Sequence, residues 1–235
     1  MVEHSAAPIF RTKREVALDS LENAIRLGRY SPGQPLRQSQ LVRDLGVGST
    51  PVREAVLELL ARGILVQESH RSVRVADLDL DRLRNIYRVR ALLEMEAARL
   101  GTARISDEAI ERMRALVQQM VSAKRNGDME AAIQADYGFR KILYTASDNP
   151  VLLDLIQQCW NLFPGSVLWN IPGRVAQSIK EHKLMLEAVA RRDPTAAAYS
   201  VENHLLSALN ALESHVSSFA KRNHDEPENN EGADR

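Results

Sequence analysis

The sequence predicts a mainly α protein in two parts: three short helices closed by a small β-hairpin, then an all-helical bundle. Two patterns carry this. In the first 76 of the 235 residues, apolar stripes at helical spacing give way to a pair of β-branched runs. From Asp79 onward, every patterned stretch repeats its apolar residues at three and four. The charge divides at the same place. The net charge is zero, yet the first 76 residues hold a small surplus of Lys and Arg and the remainder a matching surplus of Asp and Glu. A chain of this length can build two cores, and the patterns assign them to residues 8–76 and 79–222, with a polar, disordered tail over 223–235.

Taken in order, Leu18, Leu21 and Ile25 recur at helical spacing and Gly28 ends that helix. Ser31-Pro32-Gly33 is a turn signal, and a short helix over 38–45 places Leu41 and Leu45 on one face. Gly46-Val47-Gly48 breaks it. For the third helix, Thr50 is the expected cap and Pro51 the first position, where a missing N–H costs nothing. Its apolar stripe is Val52, Ala55, Val56, Leu59 and Leu60, with Arg53 and Glu54 facing outward. After Gly63, Ile64-Leu65-Val66 and Val73-Arg74-Val75 flank a polar turn and read as a two-stranded wing. The second part reads as helices over roughly 79–102, 106–126, 129–147, 150–163, 174–192 and 194–222. Ser106, Asp128 and Asp193 are N-cap candidates, Pro150 and Pro194 occupy first-turn positions, and Pro164 to Gly173 is a loop carrying Trp169.

Composition narrows the class. At 44% hydrophobic and 26% charged residues the chain is ordinary for a globular protein. No apolar run approaches the roughly 18 residues that cross a bilayer. Met1 to Phe10 has neither a basic start nor an apolar stretch, so no secretory signal is expected. The single cysteine, Cys159, has no internal disulfide partner, which suits a cytoplasmic protein.

A tight turn between two helices, the second with a polar N-terminal end, is the geometry that lays a helix into the major groove of double-stranded DNA. Ser49, Thr50 and Arg53 are the residues placed there, with Arg37 approaching from the start of the preceding helix. A guanidinium pairs bidentately with guanine or binds phosphate. In the wing, His70, Arg71 and Arg74 are placed to track the backbone. The stretch Pro32-Gly33-Gln34-Pro35-Leu36, with Leu41, Leu45-Gly46-Val47, Thr50-Pro51-Val52-Arg53-Glu54-Ala55-Val56 and Gly63-Ile64-Leu65, strongly resembles the winged helix-turn-helix domain of GntR-type regulators. Gly48-Ser49 stands where such domains commonly have Ser-Arg, and Ser72 where they tend to have a wing glycine.

The helical part resembles the FCD-type ligand-sensing domain of the FadR-like branch of that family. The likeness rests on Tyr87-Arg88-Val89-Arg90-Ala91-Leu92-Leu93-Glu94, on Asp136-Tyr137-Gly138-Phe139-Arg140 with Asn149-Pro150-Val151-Leu152, and on Glu181-His182 with Leu186-Glu187-Ala188, Asp193 and His204. In that branch an Asp, a His four residues later and two further His commonly hold a divalent metal. Asp136, Arg140, His182 and His204 occupy these positions here. Arginine has no lone pair and cannot ligate a metal. The resemblance therefore leaves Asp136, His182 and His204 as a three-ligand site for Zn, Ni or Mn, conditional on tolerance of Arg140. The favoured expectation is that Arg140 takes over the metal's role and binds the carboxylate of a small organic acid, with Arg90 as a second anion anchor. The plainer reading is an i,i+4 ion pair between Asp136 and Arg140 beside two core histidines. Tyr87, Tyr144, Trp160 and Trp169 are either pocket lining or core.

Together these features predict a regulator, not an enzyme: a homodimer on an inverted-repeat operator, a repressor by the family's commoner habit, with no membrane partner. Two other classes stay open on the sequence alone. One is a metal-dependent enzyme built on Asp136, His182 and His204; the other is a DNA-binding module whose helical part only dimerises.

Overall fold

In the computed structural model, which describes residues 11–69, 72–162 and 165–225, a capping box at Thr12 opens α1 (Lys13–Arg26). The Thr12 hydroxyl accepts from the Glu15 N–H while the Glu15 carboxylate accepts from the Thr12 N–H. Leu21 and Ile25 face inward, and Gly28 follows the helix at φ 79°, where a side chain is disfavoured. A three-residue strand, β1 (Pro35–Arg37), leads directly into α2 (Gln38–Leu45), which stops at the left-handed Gly46. α3 (Ser49–Ala61) buries Val52, Ala55 and Leu59, with Val56 and Leu60 half-buried beside them. β2 (Leu65–Ser69) and β3 (Ser72–Val75) form the wing. The sheet is antiparallel in the order β1-β3-β2, with Leu36 opposite Val73 and Leu65 opposite Val75. Leu21, Leu36, Leu41, Val52, Leu59, Leu65 and Val75 close one core from all six elements.

Two sequence expectations are corrected here. The wing has a third strand, β1: Pro35 offers no N–H, and so short a segment carries no alternation to read. The cap of α3 is not Thr50. Gly48 takes the N-cap backbone with no side-chain bond, Thr50 lies inside the first turn, and Pro51 is the third helical residue. Pro51 is tolerated there because the first four N–H groups of a helix lack intrahelical acceptors. His70 and Arg71 lie outside the described residues.

The chain divides into two compact units, Met1–Asp77 with Asn161–Pro164 and Leu78–Trp160 with Gly165–Arg235. The second is built, among the described residues, from α4 (Leu80–Arg104), α5 (Asp107–Asn126), α6 (Met129–Thr145), α7 (Pro150–Asn161), α8 (Ser166–Trp169), α9 (Arg174–Ala190) and α10 (Pro194–Asp225). Ser106, Asp128 and Asp193 each accept a backbone N–H at a helix start, as their spacing predicts. α10 and α6 pack on α4, α5 packs on α6 and α9, and α9 lies along α10. Gly101 of α4 sits where α6 crosses: a Cβ there would be 2.1 Å from the Leu143 carbonyl oxygen. Boundaries differ from the sequence reading at two places. The 164–173 loop contains the one-turn α8, and α10 continues through Asp225, so 223–225 are helical and not tail; residues 226–235 lie outside the described residues.

Candidate functional site

The polar start of α3 and the strand before α2 lie together on the surface of the first unit. Arg37, Ser49, Thr50 and Arg53 are all exposed, and the Gln38 amide ties the two helix starts by donating to the Ser49 carbonyl at 3.2 Å. Among the described residues Arg37 and Arg53 form no ion pair. Arg74 is half-buried and holds Asp77 at 2.5 Å.

The second unit encloses a chain of charges. Asp136 and Arg140, one turn apart on α6, pair at 2.5 Å. Asp136 Oδ1 lies 3.1 Å from His182 Nε2 on α9, and the His204 ring of α10 stands edge-on to His182 with centroids 4.8 Å apart. Asp136, His182 and His204 each offer one ligand atom within 4.8 Å of the others, and all three are buried. Arg90 joins through Glu94. The Glu94 carboxylate, 0% exposed, accepts from Arg90 Nε at 2.7 Å, from the Tyr144 hydroxyl at 2.9 Å and from Trp160 Nε1 at 2.9 Å, with Arg140 Nη1 at 3.6 Å. Arg140 also lies over the Trp160 ring and Arg90 over Tyr87.

The second half of the network, Arg174 with Glu181 and Ser207, orients His204. His204 Nδ1 is 2.8 Å from Glu181 Oε2, and a carboxylate only accepts, so Nδ1 carries the hydrogen. His182 Nδ1 likewise donates to the Ser178 carbonyl at 2.8 Å. Both rings therefore turn Nε2 away from their supports, the arrangement in which an outer acceptor fixes the tautomer of a ligating histidine. Burial lowers the His204 pKa to about 4, which keeps the ring neutral near pH 7. Burial alone would raise Asp136, but Arg140 and His182 hold it well below the usual carboxylate range. Glu181, raised by burial, is pulled down to about 2 by its bonds to His204 and Arg174.

Three polar atoms of the Asp136–Arg140–His182 cluster are left over. His182 Nε2, Arg140 Nε and Arg140 Nη1 are buried and have no hydrogen-bond partner among the described residues. Each such group costs about 1–3 kcal/mol, more when charged. In the ring form with hydrogen on Nδ1 alone, the His182 Nε2 lone pair faces Asp136 Oδ1 at 3.1 Å. A cation between them removes that conflict, so the donor set suits a metal held by Asp136, His182 and His204 even though Arg140 occupies the fourth position. Sequence reasoning missed Arg174, which had no signal, and the roles of Glu94 and Glu181. The i,i+4 spacing of Arg90 and Glu94 was the one clue to the former. Tyr87, Tyr144, Trp160 and Trp169 are all buried.

Comparison with known proteins now bears on both units. The model of bacterial regulatory proteins of the gntR family matches residues 13–75, and that of the FCD domain matches residues 85–207. The chain is a GntR-family regulator with an FCD domain. This GntR chain is 28% identical over 179 residues to the HTH-type transcriptional regulator McbR of Escherichia coli, covering 74% of this chain and 81% of McbR. It is 28% identical over 199 residues to the probable D-xylose utilization operon transcriptional repressor of Paenarthrobacter nicotinovorans, covering 82% and 85% of the two chains. It is 28% identical over 216 residues to the Glc operon transcriptional activator of Escherichia coli, covering 81% and 85%. The solved structure of E. coli McbR/YncC superposes with a TM-score of 0.80 at 25% identity, over 88% of this chain and 100% of that one. GntR-family regulators bind DNA, and neither the family nor these relatives are enzymes. The metal-dependent enzyme left open by the sequence is thereby set aside. No helix among the described residues is long and apolar enough to cross a membrane.

Proposed function

We propose that this regulator acts as a homodimer on an inverted-repeat operator and that a small carboxylic acid bound beside Arg140 controls it. Residues 8–76 are the DNA-binding domain and 79–222 the effector domain; Arg37, Ser49, Thr50 and Arg53 meet the duplex, with His70, Arg71 and Arg74 as wing contacts. One observation carries the effector reading. Arg140, nine-tenths buried, keeps two nitrogens without a hydrogen bond, beside His182 Nε2. A carboxylate accepts hydrogen bonds on its two oxygens, which answers the unsatisfied Arg140 N–H groups and offsets their desolvation. Arg90 supports the site indirectly, by holding the Glu94 carboxylate that Arg140 also faces. Binding would shift the population of domain orientations, and with it the spacing of two recognition helices that must reach half-sites about 34 Å apart. Repression relieved by the acid is the proposed sense, in the cytoplasm where the DNA lies.

The test is a thermal-shift screen of hydroxy acids, sugar acids, di- and tricarboxylates and aromatic acids on the full chain. At 100 times Kd a true effector adds about 2.7 kcal/mol, a rise of roughly 5–10 °C for a chain of this size. Arg140→Ala should abolish the shift while leaving DNA affinity intact. A shift that survives Arg140→Ala overturns the assignment.

The tautomer arrangement of His182 and His204 favours a second form of this site, in which Asp136 and both histidines hold a divalent ion that helps seat the acid. Metal analysis of protein purified without chelator distinguishes it: about one ion per chain, absent in His182→Ala, supports the metal form.

A further inference from the structure

The outward face of α3 carries one residue at odds with its neighbours. The exposed residues of this helix are Ser49, Thr50, Arg53, Glu54, Leu57 and Ala61. Placed at 100° per residue, they share an arc of about 140°, and Leu57 lies in its middle, between Arg53 and Thr50. Leu57 is 56% exposed; with Val16 it makes up the exposed large apolar side chains among the described residues of the first unit. A lone exposed leucine is ordinary on most surfaces. This one stands at the centre of a face whose other members are polar or small. Val52, Ala55 and Leu59 serve the core from the opposite side of the helix, so burial does not hold Leu57 here.

Leu57 and Arg53 border a shallow cleft between α3 and the wing, lined beneath by buried Leu36, Leu41 and Val73. Apolar surface therefore backs one flank of Leu57 and leaves the other open. A helical side chain leans toward the N-terminus of its helix, so Leu57 leans toward the turn that carries Arg53. The two are one turn apart, about 6 Å along the axis, which is at most two base-pair steps of about 3.4 Å. In the major groove the base edges offer hydrogen-bonding groups with one apolar exception, the C5 methyl of thymine. An apolar side chain laid beside Arg53 has that methyl as its complement. Over any other edge it would strip water from groups it cannot hydrogen-bond, which costs affinity.

We propose that Leu57 is a specificity-determining residue, packing in each half-site on the C5 methyl of a thymine within about two base pairs of the pair that Arg53 contacts. This rests on α3 entering the major groove, as proposed above; it adds the base and the group recognised on it. Because the methyl carries the contact, 5-methylcytosine offers the same surface.

The experiment enriches duplexes from a random pool with the full chain and with its Leu57→Ala and Arg53→Ala variants. Affinity for the parent's duplex is then measured by fluorescence anisotropy with single thymines replaced by deoxyuridine, which lacks only the methyl. Loss of one buried methyl should weaken the parent about fourfold, and about fifteenfold when both half-sites are changed. Leu57→Ala should bind the thymine and deoxyuridine duplexes alike, and its enriched sequences should lose that thymine while keeping the base set by Arg53. With cytosine at the same position, 5-methylating it should strengthen binding by the parent about fourfold. The deoxyuridine comparison uses the unaltered chain, so it does not depend on the folding of a variant.

A parent indifferent to every thymine methyl, or a methyl whose loss weakens Leu57→Ala as much as the parent, overturns the role of Leu57. It leaves α3 in the groove so long as Arg53→Ala changes the enriched sequence. A gain confined to 5-methylcytosine overturns thymine as the source of the methyl. If both variants enrich the parent's sequence, or the parent enriches none, α3 is not the reading helix and the placement on which this rests falls with it.

Discussion

Glu94→Gln tests the buried network without changing its shape. Glu94 is fully enclosed and is the only carboxylate that touches Arg90 among the described ion pairs; it also faces Arg140 at 3.6 Å. In the variant, the retained amide oxygen can still accept from Arg90 Nε and Trp160 Nε1. The NH2 group would then stand where Tyr144 now donates, and the tyrosine hydroxyl can rotate to accept from it. Most hydrogen bonds therefore survive, and what is lost is the charge. Arg90 is left without its counter-ion, and Arg140 keeps only Asp136, which already serves His182. Removing one partner of a buried pair costs about 3–5 kcal/mol, and the surviving hydrogen bonds put the expectation at the lower end, about 3 kcal/mol. For a chain of this length that is a fall in Tm of roughly 6–12 °C. Urea and thermal unfolding at pH 7 measure it, with the exposed Glu96→Gln as control, expected to stay within about 0.5 kcal/mol. A Tm for Glu94→Gln within 2 °C of the parent would refute the claim that Glu94 neutralises the two arginines.

Three further outcomes are expected. Arg53→Ala should lose about 1–3 kcal/mol of operator affinity in fluorescence anisotropy, and unchanged affinity would mean that α3 does not enter the groove. His204 takes up a proton near pH 6.5 when unfolded but only near 4 when folded, so the unfolded chain binds more protons between those values. Stability should be complete above pH 6.5 and fall by about 2 kcal/mol from pH 7 to pH 5 on this account; His204→Gln should flatten that part of the urea-midpoint profile, and an unaltered slope counts against it. Gly101→Ala should cost more than about 2 kcal/mol, since its Cβ meets backbone at 2.1 Å, whereas Gly138→Ala, facing only the Leu116 methyls at 3.4 and 3.5 Å, should be neutral or gain up to about 1 kcal/mol. Equal Tm values for the two alanine variants would contradict the close crossing of α4 and α6.

The sequence by itself determined the order and kind of elements, because helical spacing and caps are local. Val52 to Leu60, Ser106, Asp128 and Asp193 each state their role within a few residues. It also determined the chemical oddity of the site, Arg140 in place of a ligand, since a residue's valence does not depend on its neighbours. What only the tertiary structure decided is who meets whom. β1 exists because Leu36 finds Val73 across 37 residues. Glu94 reaches Tyr144 and Trp160 across 50 and 66 positions, and Arg174 and Glu181 of α9 orient a histidine on α10. Such partners are set by burial: a charge taken out of water must find its counterpart wherever the packing places one, at separations that leave no period in the sequence.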